Sequence, residues 1–221
     1  MEIQFPNEDS VYRSARQELL AAEIDLRARL EQVAEMRRSL PPGGVVPSDY
    51  VFQEIGADGA AHNVRMSALF GDGKDTLFAY SFMFGPDMES PCPSCSSVLD
   101  ALNGNARHIA SRINLAVVAR SPIERIHSFA VERGWHHLRM LSSAENSYNA
   151  DYFGETVSGD QMPMANVFAL RDGTIRHTWG TEMLYAKLDG QPRHVDLIWP
   201  LWNVLDTTPG GRGDWNPALG A

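Results

Sequence analysis

Apolar positions along the chain follow two different periods, and the switches between them mark out its elements. Between residues 10 and 40, Leu19, Ala22, Leu26, Leu30, Val33, Met36 and Leu40 recur at spacings of three and four. That period predicts one amphipathic helix. Glu23–Arg27 and Asp25–Arg29 add favourable charge pairs one turn apart. Pro41-Pro42-Gly43-Gly44 ends it, since proline cannot continue the helical hydrogen-bond ladder. The stripe covers only about three heptads, which is marginal for a coiled coil. It reads as a helix packed on the domain surface, with a homodimer through the same stripe as the alternative.

From residue 49 the period shortens. Tyr50, Phe52 and Ile55 approximate an alternating strand, Gly56-Ala57-Asp58-Gly59 supplies a turn, and Val64 and Met66 lie on the return strand. A short helical turn over Ser67–Phe70 follows. Thr76–Phe84 is almost continuously apolar and aromatic, as a central strand buried on both faces requires. After the loop Gly85–Pro91, Val98, Leu99, Leu102, Ile109 and Ile113 predict a helix that Asn103-Gly104-Asn105 kinks or splits. Asn114–Arg120 is a second buried strand. Ser121-Pro122-Ile123-Glu124 reads as a capping box with proline at the first helical position, opening a helix that Gly134 closes. Leu138–Leu141 is a short strand, and Ser142–Met164 is irregular. Val167–Arg171 and Thr174–Trp179 form a hairpin across Asp172-Gly173, and Val195–Leu205 is a last helix kinked at Pro200.

The order is β-α-β-α, a short strand, a hairpin and a helix. The parallel βαβ unit is expected to cross over right-handedly. The fold class is therefore α/β: a thioredoxin-like fold, with a central mixed sheet flanked by helices, preceded by an N-terminal helix and a β-hairpin. Three segments are expected: a helix and linker over 1–48, the thioredoxin-like domain over 49–208, and a Gly/Pro-rich tail over 209–221.

Charge and cysteine usage narrow the function classes. A formal net charge of -9 with no dense Lys/Arg run disfavours nucleic-acid binding, which needs cations against phosphates. It equally disfavours a polybasic membrane-surface site. The segment Met1–Pro6 has no apolar signal region, and no run of about 18 apolar residues exists. No membrane partner and a cytoplasmic location are therefore expected. The two cysteines are three positions apart, too close to staple a fold.

Those cysteines form Cys92-Pro93-Ser94-Cys95, after a buried strand and at the start of a helix. A helix N-terminus favours a thiolate through its free N–H groups and dipole. Cys92 is the expected nucleophile. Cys95, one turn in on the same side, is the expected resolving thiol. Pro93 and Ser94 support them in the first turn, where the missing N–H of proline is no loss. The chemistry needs no cofactor beyond the dithiol itself; its partners are an external thiol reductant and a disulfide or peroxide substrate. Two alternatives stay open: half of a metal site completed by His or carboxylate, and inert thiols on an interaction module.

Other candidates are weaker. His136 and His137, if on a strand, point to opposite faces. His177 and His194 read as surface histidines, and Ser142-Ser143 as a turn. Trp135, Trp179, Trp199 and Trp202 read as core or groove walls, with Trp135 as a supporting residue. Thioredoxin folds usually place a cis-proline opposite the cysteines. Pro163 is the candidate, although that position falls on Ala165 when counted back from Asp172-Gly173.

Phe82-Met83-Phe84-Gly85-Pro86-Asp87 followed by Cys92-Pro93-Ser94-Cys95-Ser96 resembles the DUF899 family of thioredoxin-like proteins. Asp49-Tyr50-Val51-Phe52, Gly134-Trp135, Ser142-Ser143, Asn149 with Asp151, and Val167-Phe168 before Arg171-Asp172-Gly173 extend the match from about residue 15 to about residue 207. The resemblance implies a thioredoxin-like fold related to peroxiredoxin-type domains, and no settled reaction. The chain departs from it at Ser81, where a histidine is expected, and over Glu182–His194.

Overall fold

A computed structural model describes residues 3–190 and 192–220. Met1, Glu2, Gln191 and Ala221, which fall in the expected N-terminal segment, divergent stretch and tail, lie outside the described residues. The chain divides into two units at Pro41/Pro42, earlier than the expected boundary at residue 48.

The first unit is one helix, α1 (Ser10–Arg38). Asp9 caps it by accepting the Tyr12 N–H at 2.7 Å, and Arg37 and Arg38 sit against its negative end. Among its ion pairs are Arg13–Glu8, Arg27–Glu31 and Arg38–Glu35.

The second unit is built on seven strands: β1 (Val51–Ile55), β2 (Ala61–Arg65), β3 (Thr76–Ser81), β4 (Asn114–Ala119), β5 (Met140–Ser142), β6 (Met164–Arg171) and β7 (Thr174–Gly180). Their order in the sheet is β2-β1-β5-β4-β3-β6-β7. Strands β3, β4 and β5 are parallel, and β6 and β7 continue the sheet antiparallel. Helices α2 (Pro93–Ala110) and α3 (Ile123–Glu132) make the two crossovers. A single-turn helix α4 (Tyr148–Asp151) and a short α5 (Leu201–Leu205) complete the set. This βαβ unit followed by an antiparallel hairpin is the thioredoxin-like fold.

Period-two alternation splits the core in two. Tyr80, Phe82, Leu115, Val117 and Ala165 face α2 and α3, while Leu77, Ala79, Ala116, Val118 and Phe168 face the other side. The crossovers progress in one direction, β3 to β4 to β5, so right-handedness puts both helices on the same face. Two long helices therefore do not cover both faces. The second face is closed by Tyr50 just before β1, by Phe52 of β1, by Met66 and Leu69 in a 3-10 turn, and by Tyr148 of α4.

Three local expectations are revised. α2 runs unbroken through Asn103-Gly104-Asn105. Nothing crowds Gly104, and the Asn103 side chain bonds outward, accepting the His137 N–H at 3.1 Å. Ser121 does not cap α3: Pro122 holds the cap position, and the Ser121 hydroxyl donates to the Gly85 carbonyl at 2.9 Å. The last helix is short, beginning at Leu201 after Pro200 rather than at Val195. Residues 209–220 form neither helix nor strand.

Leu99 is fully buried between α2 and the sheet. Leu99→Ala is expected to destabilise the second unit by about 2–5 kcal/mol, read as a lower urea midpoint at unchanged slope. A loss under about 1 kcal/mol would show that α2 is not packed as described.

Candidate active site

The dithiol lies where β3 hands over to α2. β3 ends at Ser81, the Phe82 N–H still donates to Val118 of β4 at 2.8 Å, and the chain then turns, the Phe84 N–H donating to the Phe82 carbonyl at 2.7 Å. The Cys92 N–H then donates back to the Met83 carbonyl at 3.0 Å, tying the helix cap to the strand end. Cys92 has an extended backbone (φ -60°, ψ 124°), and Pro93 opens the helix. The Cys92 sulfur accepts the Cys95 N–H at 3.5 Å, so the nucleophile candidate is itself the cap of α2.

The two thiols have unlike surroundings. Cys92 is half-buried, and Cys95 is buried at 2% exposure. The Cys95 thiol, donating to the Cys92 sulfur, does most to pull the Cys92 pKa down to about 6; burial opposes it, and the N–H groups of Cys95 and Ser94 add to it. Cys95 is pushed well above the ordinary thiol value, first by that same bond and then by burial. The fully buried Tyr80 hydroxyl donates to the Cys95 sulfur at 3.3 Å and pulls the other way, as does the Met83 N–H. Both thiols are free.

The loop before Cys92 is held from outside. The Arg125 guanidinium donates to the carbonyls of Pro86 (3.2 Å), Glu89 (2.8 Å) and Met88, and lies 4.4 Å from the Phe84 ring centroid. With Ser121 on Gly85, this fixes most of the loop carbonyls. A cavity of about 460 Å³ opens beside it, lined by Phe84, Pro91, Arg125 and Phe129 among others.

Of the expected supporting residues, Pro93 and Ser94 sit in the first turn as expected. Trp135 forms no hydrogen bond with either sulfur among the described residues. Its indole N–H donates to Asp100 of α2 at 2.8 Å and its ring meets Phe82 edge-on at 5.7 Å, so it braces α2 from the side. Pro163 precedes β6 and its carbonyl accepts from His194 Nε2 at 3.1 Å. Among the described residues every peptide bond is trans, so the cis-proline is lacking; Ala165 occupies its usual place, opposite Tyr80.

His136 and His137 are exposed in a turn. His177 and His194 are half-buried rather than on the surface, and burial lowers both pKa values. Ser142 and Ser143 are buried and bonded to the carbonyls of Ser121 and Ala119. Ser81 points away from the cysteines, toward Gly154 and Asn149 on the opposite sheet face. Departure from the family at that position therefore leaves the dithiol surroundings untouched.

Tyr80 and Arg125 are the site residues that sequence reading missed. A tyrosine inside an otherwise apolar strand was a usable signal, since its hydroxyl needs a buried partner. Arg125 carried none, because its contacts join residues more than thirty-five positions apart.

A strand-borne, helix-capping dithiol on this topology defines a thioredoxin-like protein. The chain belongs to the family described as "Bacterial protein of unknown function (DUF899)", whose sequence profile matches residues 3–219. No curated protein matches it. Among solved structures it is similar to the peroxidoxin BcpB of Mycobacterium tuberculosis (18% identity, 75% of this chain and 98% of that chain, TM-score 0.47). It is also similar to thioredoxin peroxidase I of Plasmodium yoelii (16%, 80% and 100%, 0.47). A third is Prx3 of Vibrio vulnificus, solved reduced in complex with hydrogen peroxide (15%, 69% and 92%, 0.46). At such scores nothing about activity carries across.

The rate of Cys92 alkylation by iodoacetamide is expected to inflect near pH 6. In Cys95→Ala the inflection moves up, because the largest downward influence is gone. A wild-type inflection near about 8.5, the ordinary thiol value, would contradict this electrostatic picture. The linked stability effect has a definite sign. A thiol lowered on folding stabilises the reduced protein above the ordinary thiol pKa, and that contribution is lost as pH falls through the folded value. Reduced wild type is thus expected to gain stability relative to Cys92→Ser between about pH 6 and about pH 8.5 in chemical denaturation. A flat difference over that window would contradict it.

Proposed function

We propose that the protein is a thiol–disulfide oxidoreductase in which Cys92 attacks and Cys95 resolves. The observation that carries this reading is the split between the two thiols: one accessible and lowered to about 6, the other buried behind it and raised. A thiolate at neutral pH is the competent nucleophile, and a protonated neighbour one turn away is held in reserve.

With a disulfide substrate, the Cys92 thiolate attacks one sulfur, forms a mixed disulfide and expels the other half as thiolate. Cys95 then loses its proton and attacks the Cys92 sulfur. The second half leaves as thiolate, and a Cys92–Cys95 disulfide remains. The dithiol has given two electrons, and the substrate disulfide has taken them. With a peroxide, Cys92 takes the terminal oxygen as a sulfenic acid and an alcohol or water departs; Cys95 then condenses with it and releases water. An external thiol reductant returns the pair to the dithiol in either case.

Neither alternative gains comparable support. Among the described residues no group of three His, Cys, Asp or Glu side chains could hold a metal ion, so the cysteines find no third ligand. An inert interaction module gives no reason for a depressed thiol at a helix cap. Among the described residues no helix is long and apolar enough to cross a membrane.

Mild oxidation of the reduced protein is expected to give an intramolecular Cys92–Cys95 bond, detected by peptide mass spectrometry as the loss of two hydrogens. Cys92→Ser abolishes thiol-coupled turnover, whereas Cys95→Ser stalls at a mixed disulfide or sulfenic acid. Oxidation to intermolecular dimers, or unchanged turnover in Cys92→Ser, would defeat the proposal.

A further inference from the structure

The sheet face turned away from the dithiol carries a second cavity, of about 770 Å³, within the range typical of small-ligand sites. Its position follows from strand alternation. Ala165 belongs to the cysteine-side core, so Met164 and Asn166, which flank it on β6, point to the other side and line this cavity.

Three aromatic rings form the walls: Tyr152, Phe153 and Tyr185. Phe153 is the odd residue among them. It holds a left-handed backbone (φ 57°), which a bulky side chain rarely adopts, and the residue is 58% exposed. Backbone strain of this kind persists where the surroundings impose it. Here the Tyr185 hydroxyl donates to the Phe153 carbonyl at 2.9 Å, and the two rings stand 5.6 Å apart. The strained turn thus fixes an exposed phenylalanine beside the cavity mouth, at the expense of solvating it.

The charge of the lining has one sign. Asp151 and Glu182 line the cavity, and among the described residues no lysine or arginine does. Asp151 accepts from the hydroxyls of Tyr50 (2.6 Å) and Ser147 (2.7 Å), both neutral donors. Neither carboxylate forms an ion pair with Lys or Arg among the described residues. Asn166 donates to the Tyr152 carbonyl at 3.1 Å, which leaves its side-chain oxygen to accept from His177 Nε2 at 2.9 Å. Burial lowers the His177 pKa, against the upward pull of the nearby Glu182 carboxylate.

We propose that this cavity binds a small organic ammonium ion, its apolar body against Tyr152, Phe153 and Tyr185 and its charge toward Glu182 and Asp151. Aromatic faces attract a weakly hydrated cation through their quadrupole, and two carboxylates without a cationic partner complement it. An anion meets the wrong field there, and a neutral molecule uses only the rings.

The test is calorimetric titration of the purified full chain with phenyltrimethylammonium, the neutral 2-phenylpropan-2-ol of similar shape, and benzoate. The ammonium ion is expected to bind one to one, about tenfold tighter than the alcohol, and benzoate not at all. Glu182→Gln and Phe153→Ala each weaken it about tenfold. Cys92 alkylation at the wild-type rate in both variants shows the fold intact. Glu182 is exposed, so its variant stays informative if Phe153→Ala fails to fold. Cys92→Ser binds the ion as wild type does, which keeps this outcome separate from the redox proposal. Equal affinity for the alcohol, unchanged affinity in Glu182→Gln, or no binding at millimolar ammonium would overturn it.

Discussion

Much of the structure rests on one hydrogen bond, from the Cys92 N–H to the Met83 carbonyl. It joins the end of the central strand to the start of the helix that carries both sulfurs. A helix cap held only by its own turn would fray, because its first N–H groups lack partners. Here the strand fixes the cap, and the cap sulfur accepts the Cys95 N–H. The other contacts around the junction serve it. Arg125 and Ser121 hold the loop before it, Asp100 and Trp135 brace α2 on one flank, and the Trp199 indole donates to Ser97 on the same helix.

From this geometry the unequal thiols follow without any cationic side chain. A charge on Cys92 meets N–H groups and a thiol donor, whereas a charge on Cys95 would sit in the core beside that first negative charge. Each sulfur's preference reinforces the other's. Tyr80 limits the asymmetry, because its hydroxyl still offers Cys95 one donor. The resolving sulfur is thereby disfavoured as a thiolate yet not sealed off from becoming one.

Legibility in the sequence tracked the range of the interactions involved. The strand runs, the turn at Gly56–Gly59, the hairpin at Asp172-Gly173 and the cysteine pair depend on neighbours in the chain, and all were readable. Asn103 misled because its polar side chain satisfies itself against Gly134 and His137 across space, leaving the helix whole. Ser121 misled for a similar reason: a local cap was available, but the Gly85 carbonyl took the hydroxyl instead. Both helices on one face was a consequence of strand order, which no local pattern encodes. The cavity beside Phe153 was equally hidden, since Phe153 and Tyr185 lie thirty-two positions apart in the chain and meet only in the fold.

The central claim is that two sulfurs act as a single redox unit at a helix start. The most direct measurement is an equilibrium titration of the reduced protein against a glutathione redox buffer, with both cysteines followed separately by mass-tagged alkylation. The account predicts that Cys92 and Cys95 vanish together along one two-electron curve, with a slope of about 30 mV per decade. Separate transitions for the two thiols, or loss of Cys92 alone as a glutathione adduct with Cys95 still free, would contradict it.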